Sequence, residues 1–312
     1  MGSIDVLELV THDTFAPDRY MLTNRNLRAA GVDPVEHFRI HGQYEGWRQI
    51  TSDMLSGSPY RRSKFQRFRN ILTLPGIAED TFPVASGSRH FSLDDYDAES
   101  ANKTHPSFAA EMERNPSSLY ADIGCGLRDR VYENCLYVEV YPSLSADLIV
   151  EPNKPYPIRS GALDGIGCFA VLEHVRRPWE VVAEIHRMLK PGGKAFINWP
   201  FLQPIHGYPS HFFNATGEGL RTIFEDTGFA IETSGVPANC WPDATISWIL
   251  GKFVHDLPAD RRDRISNMTV GELLSHPPYS AFWRELMRDL PPHTVAEFAM
   301  GFEVVARKQH DQ

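Results

Sequence analysis

A carboxylate followed by two glycines offers the clearest chemistry in the chain. In Leu119-Tyr-Ala-Asp-Ile-Gly-Cys-Gly126 a short, mostly apolar run ends in Gly124 and Gly126, with Pro116-Ser-Ser before it. Such a run, bounded by turn residues, reads as a buried strand entering a tight turn. Glycine there permits positive φ and lets a ligand lie against the main chain. In a doubly wound sheet, ligands sit at the carboxyl ends of the strands, beside such a turn. Asp122 stands at the end of that strand, where a carboxylate can face a ligand. An ordinary strand-to-loop turn is the alternative, and a lone Gly-x-Gly does not choose between them.

Other reactive side chains are less organised. His37 and His41 form an i, i+4 pair that could hold a metal, but no third ligand is evident, and packing or capping is the expected role. Cys125, Cys135, Cys168 and Cys240 lack Cys-x-x-Cys spacing and fit neither a zinc site nor a disulfide scaffold. No metal is expected. Arg61-Arg-Ser-Lys-Phe-Gln-Arg-Phe-Arg69 interleaves basic residues with Phe65 and Phe68. It could meet phosphate groups; a solvated amphipathic helix is the favoured reading.

The elements that would position these groups follow from the pattern of the chain. Its 312 residues suit one large domain with appendages, or two domains. With 42% hydrophobic and 23% charged residues, a globular core is expected rather than disorder. The net charge of −9 argues against a general nucleic-acid binder. No apolar run approaches the roughly 18 residues of a membrane span. No signal peptide is read, and a reducing cytoplasm is the expected home. Residues 1–55 read as a helical N-terminal segment, with Asp33 and Pro34 as the cap and first residue of a helix. Residues 56–118 read as a linker or lid, loop-like from 76 onward.

From 119 to 312, strands alternate with helices, which implies a mostly parallel sheet. Strands are expected at 119–123, 136–140, 147–150, 165–171, 194–199, from 228, and at 298–306. Helices are expected over 178–189 and 216–227, with a helical insertion at about 240–293.

Three motifs in this core resemble class I S-adenosylmethionine-dependent methyltransferases of the type-11-like group. They are Asp122-Ile-Gly-Cys-Gly126, Leu172-Glu-His-Val175 followed by Pro178, and Glu184-Ile-His-Arg-Met-Leu-Lys-Pro-Gly-Gly193. Their order and spacing match the family. The resemblance implies an α/β, Rossmann-like, seven-stranded core and S-adenosyl-L-methionine as cofactor. It places the methionine end against Gly124, Cys125 and Gly126, with Asp122 near the cationic amino group. It makes Glu139, 17 residues after Asp122, the ribose ligand and puts Glu151 beside the adenine. Backbone at Phe169 and Ala170 then lies under the methionine part. The loop departs from the family pattern after Gly126: the bulkier Leu127-Arg-Asp-Arg130 is expected to crowd the cofactor's carboxylate end, or Arg128 to pair with that carboxylate.

After the fifth strand, residues 200–214 resemble a subgroup carrying a His and an aromatic-rich loop. O-methylation needs a base, and a neutral imidazole suits that role near pH 7. His206 and His211 are the candidates, with Tyr208, Phe212 and Phe213 as a wall for the acceptor. Tyr20, Asn24, Asp33-Pro34, His37, Gly42 and Glu45-Gly46 resemble short helical repeats found beside glycosyltransferases in bacterial polysaccharide-assembly proteins. Together these imply methylation of a sugar hydroxyl in a surface polysaccharide or its precursor, the acceptor being free, nucleotide-linked or lipid-linked. Two alternatives stand beside this: a methyltransferase of a small metabolite or lipid, and a non-catalytic docking module in a glycan assembly complex. A homo-oligomer is left open.

Overall fold

A computed structural model describes residues 2–84, 101, 103–207, 210–300 and 302–303. Three short strands open the chain: β1 (Ser3–Asp5), β2 (Leu7–Leu9) and β3 (Arg48–Ile50). They correct the all-helical expectation for residues 1–55. Between β2 and β3 the helices Pro17–Thr23, Arg25–Ala29 and Pro34–His37 do form, and the Asp33 carboxylate caps the last by accepting from the Glu36 N–H at 2.8 Å. β2 pairs antiparallel with β3, and Val10, Tyr20, Leu27 and Phe38 make a small local core. Tyr20 Oη lies 2.9 Å from His37 Nδ1, so His37 serves packing.

The remaining strands are β4 (Tyr120–Ile123), β5 (Arg130–Tyr132), β6 (Cys135–Glu139), β7 (Leu148–Ile149), β8 (Leu163–Phe169) and β9 (Leu189–Asn198). β5 pairs antiparallel with β1. The other five form one sheet, ordered β7-β6-β4-β8-β9, with every pair parallel. Every residue of β4 and β6 is buried, as a strand covered on both faces requires. Ala121 and Ile123 of β4 face a core shared with Phe65, Phe68, Val182, Ile185 and Phe224. These come from the helices Pro59–Phe68, Pro178–Met188 and Gly217–Asp226. Tyr120 points to the opposite face, against Phe108 and Met112 of the helix Pro106–Arg114. That helix corrects the loop reading of residues 76–118.

The basic run is corrected in part. It forms the Pro59–Phe68 helix with Arg62, Ser63 and Gln66 on an exposed face, as an amphipathic helix requires, but Arg61 and Lys64 turn inward. Arg61 and Lys64 are fully buried because Asp147, itself fully buried at the foot of β7, takes both cations. Arg61 Nη1 donates to Oδ1, Lys64 Nζ lies 2.6 Å from Oδ2, and the Tyr137 N–H donates to the same oxygen at 2.8 Å.

Five strands, not seven, make the sheet among the described residues. Residues 229–233 form no ladder; Phe229 and Ile231 pack onto the core, and Glu232 pairs with Lys194 at 3.0 Å. The Phe229 N–H also donates to the Phe224 carbonyl at 3.0 Å. Residues 298–300 and 302–303 are turn and coil, and the rest of that expected strand lies outside the described residues. The helical insertion is present as Pro242–Asp256, Ala259–Ser266, Val270–Leu274, Ala281–Asp289 and Pro292–Glu297. Phe253, Leu257, Ile265, Leu286 and Leu290 give it a core of its own.

Candidate cofactor and acceptor site

β4 runs out at Ile123, and the chain turns at once through Gly124 (φ +66°) and Gly126 (φ +56°). A Cβ on Gly124 would sit 2.3 Å from Cγ2 of Val171, so the turn presses directly on the segment that follows β8. Ala170, just before Val171, also takes positive φ (+54°). The two neighbouring strand ends are thereby brought together at the carboxyl edge of the sheet, where parallel α/β sheets bind ligands.

Glu139 closes β6 beside this turn and is 7% exposed. Its Oε1 accepts from the Gly126 N–H at 3.1 Å, and its Oε2 from the Val140 N–H at 2.6 Å. A carboxylate accepts hydrogen bonds through both oxygens, which is the chemistry two ribose hydroxyls would meet. Glu151 stands two residues past β7 and is exposed. Phe169 stacks on His105, with ring centroids 5.0 Å apart and planes 3° from parallel. Cys125 is fully buried, and burial pushes its thiol well above the ordinary range.

Asp122 departs from the expected role. It is fully buried and held by Arg128, whose Nε and Nη2 donate to its two oxygens at 2.8 and 3.1 Å. The carboxylate is consumed inside the fold and does not meet a cofactor's amino group. Arg128 itself is 2% exposed; it pairs with Asp122 rather than with a cofactor's carboxylate. The residues present therefore fit S-adenosylmethionine at Glu139 and do not fit it at Asp122; at the turn the N–H groups of Gly124 and Cys125 are both bonded to the Val138 carbonyl.

The acceptor side is built by the turn after β8 and the loop after β9. Leu172–His174 form one turn of 3-10 helix. Its Glu173 carbonyl accepts from the Phe212 and Phe213 N–H groups at 2.6 and 3.3 Å, tying the distant loop down. His174, His206 and His211 then converge, with ring centroids 4.7–5.5 Å apart. His174 Nδ1 donates to the Ser210 carbonyl (3.0 Å) and His206 Nδ1 to the Pro204 carbonyl (2.8 Å), which leaves each Nε2 with its lone pair. His211 has no such freedom: Nε2 donates to Asn214 Oδ1 at 2.7 Å and Nδ1 accepts from the His206 N–H at 3.3 Å. Burial, foremost, lowers the pKa of His174 and His206 and keeps both neutral.

Glu173, which sequence reasoning treated only as part of a motif, is fully buried under this cluster. Burial raises its pKa to about 7. Trp248 of the helix Pro242–Asp256 packs on His206 with centroids 5.2 Å apart. Thr245 Oγ1 donates to the Leu202 carbonyl (2.9 Å) and Ile205 N–H to the Glu297 carbonyl (2.6 Å), so the insertion roofs the loop. Phe212 and Phe213 are 43% and 41% exposed beside it. Tyr208 lies outside the described residues.

Residues 121–197 match the family model described as a methyltransferase domain. These residues, with the parallel sheet they build, form an α/β, Rossmann-like methyltransferase domain of the class that uses S-adenosylmethionine. A search of curated proteins finds no match. Among solved structures, one similar chain belongs to a complex between the Haloferax volcanii Trm112 methyltransferase activator and a methyltransferase (12% identity, TM-score 0.29, covering 42% of this chain and 75% of that one). Another is a Haemonchus contortus phosphoethanolamine N-methyltransferase 2 with phosphomonomethylethanolamine and S-adenosylhomocysteine (12%, 0.30, 85% and 63%). The same enzyme with S-adenosyl-L-methionine gives 14%, 0.31, 81% and 61%. At these TM-scores the likeness in shape is slight, and the chain spans less than two thirds of the Haemonchus protein. No helix among the described residues is long and apolar enough to cross a membrane.

Proposed function

We propose that the chain transfers a methyl group from S-adenosylmethionine to a hydroxyl of a sugar or glycan, in the assembly of a bacterial surface polysaccharide within the cytoplasm. The observation that carries the hydroxyl acceptor is the neutral His174–His206 pair, set directly after the β8 segment that touches Gly124. The resemblance of residues 20–48 to polysaccharide-assembly repeats supports the glycan. When bound, S-adenosylmethionine supplies a methyl on a sulfonium: the acceptor oxygen bonds the carbon while the C–S electron pair stays on sulfur, a step that asks mainly for positioning. Glu139 holds that donor, beside the Gly124–Gly126 turn. His206 Nε2 takes the hydroxyl proton, with its ring fixed by Pro204. His211 positions the loop, and Phe212 and Phe213 offer faces to a sugar ring.

Label transfer from methyl-labelled cofactor to a panel of sugars, nucleotide sugars and lipid-linked sugars tests this, with ethanolamine phosphates and other small metabolites alongside. Labelled sugar hydroxyls support the reading; label on the metabolites alone overturns the glycan acceptor. His206→Ala should lower turnover by about 10²-fold or more with cofactor affinity unchanged. One observation favours a second reading, a docking module without catalysis: the Asp122–Arg128 pair removes a carboxylate from the cofactor side. Calorimetry with S-adenosylmethionine separates the two.

A further inference from the structure

Glu173 has no account in the scheme above. Its side chain is fully buried, and among the described residues neither carboxylate oxygen has a hydrogen-bond partner. A carboxylate in that state is costly unless paired or bound to a metal. Its own backbone N–H acts on it, and burial outweighs that contact. His174 Nε2 stands 3.8 Å from Oε1, beyond hydrogen-bond reach. Both His174 and His206 spend their Nδ1 protons on backbone carbonyls, so the nitrogens left over carry lone pairs. Three potential ligands thus converge: one ligand atom each from Glu173, His174 and His206 lies within 4.8 Å of the others.

We infer that Glu173, His174 and His206 bind a divalent first-row transition-metal ion, with zinc the reference case. Two imidazoles and one carboxylate suit such ions, and three protein ligands leave positions open for a further molecule. The outer contacts match as well. A ligating imidazole ordinarily donates its other N–H to a carbonyl or carboxylate, as both rings do here. Ligand atoms around a tetrahedral zinc stand about 3.4 Å apart, so the widest pair needs to close by at most about 1.4 Å. The backbone is prepared for tight packing at His174: a Cβ on Gly207, which sits at φ +78°, would lie 2.4 Å from Cε1 of that ring.

The role assigned to the ion rests on the proposed methyl transfer; the binding does not. In that setting the ion would take the acceptor hydroxyl at an open position and lower its pKa, the proton leaving to solvent; His206 is the base only in the metal-free protein.

The test is titration of chelator-treated full-length protein with Co²⁺, read by its visible d–d band, followed by displacement with Zn²⁺. No cofactor or acceptor is present, so failure of the methyltransferase reading leaves the result untouched. One equivalent with a band that zinc abolishes is expected. Glu173→Gln and His206→Gln should each weaken binding more than tenfold and lose the band, with circular dichroism confirming folding. The surface pair His41–Glu45, 2.9 Å apart, is the competing site, and His41→Ala should keep full binding. A band that survives both Gln variants, one lost in His41→Ala, or no saturable binding overturns the inference.

Discussion

Gly124→Ala is the sharpest perturbation of the cofactor turn, and its cost can be worked from two separate sources. The first is backbone: at φ +66° an alanine sits in the left-handed region, at about 1–2 kcal/mol. The second is contact. The new methyl would lie 2.3, 3.0 and 3.2 Å from Cγ2, Cγ1 and Cβ of Val171. Because Val171 is β-branched and stiff at χ1, turning one methyl away brings another in, and overpacking of this kind costs about 1–3 kcal/mol. The total is about 2–5 kcal/mol, a large part of a typical stability of about 5–15 kcal/mol. Denaturant unfolding measures it. The double variant Gly124→Ala/Val171→Ala should recover the contact part and retain the backbone part. A coupling of about 1–3 kcal/mol is therefore expected, well outside the roughly 0.5 kcal/mol of independent sites. Simple additivity of the two substitutions would show that the turn does not press on the β8 segment. A Gly124→Ala protein as stable as the parent would refute both terms.

Two further predictions concern charges inside the fold. Arg128→Met strands the buried Asp122 carboxylate and should cost about 3–5 kcal/mol, while Asp122→Asn/Arg128→Met should recover most of it, read by the same unfolding assay. Asp147→Asn leaves Arg61 and Lys64 buried against a neutral amide; it should destabilise by about 3 kcal/mol or more, seen as a lowered midpoint in thermal unfolding.

The core strands were legible because each is a short apolar run closed by turn residues. β4 and β6 lie within one residue of where that pattern puts them. The helix before β9 showed its stripe of Val182 and Ile185. What escaped depends on partners far away in the chain. β1 is three residues long and exists only because it meets β5, near residue 131. The basic run reads as amphipathic, but the burial of Arg61 and Lys64 shows only once Asp147 is placed beneath them. Glu173 reads as one letter of a motif; its unpartnered burial arises only when the loop carrying Phe212 folds onto its carbonyl. At the candidate site the turn and Glu139 are where the motifs put them, whereas Asp122 is captured by an arginine whose direction no spacing reveals. Residues 229–233 carry a strand-like alternation, yet the packing of Phe229 and Ile231 satisfies them without a ladder.

Calorimetric titration with S-adenosylmethionine, on the parent protein and on Glu139→Ala, addresses the turn and its neighbouring carboxylate together. A single saturable site in the parent, weakened at least tenfold when Glu139 is removed, is the predicted outcome. Absence of heat in the parent, or an affinity indifferent to Glu139, would contradict it.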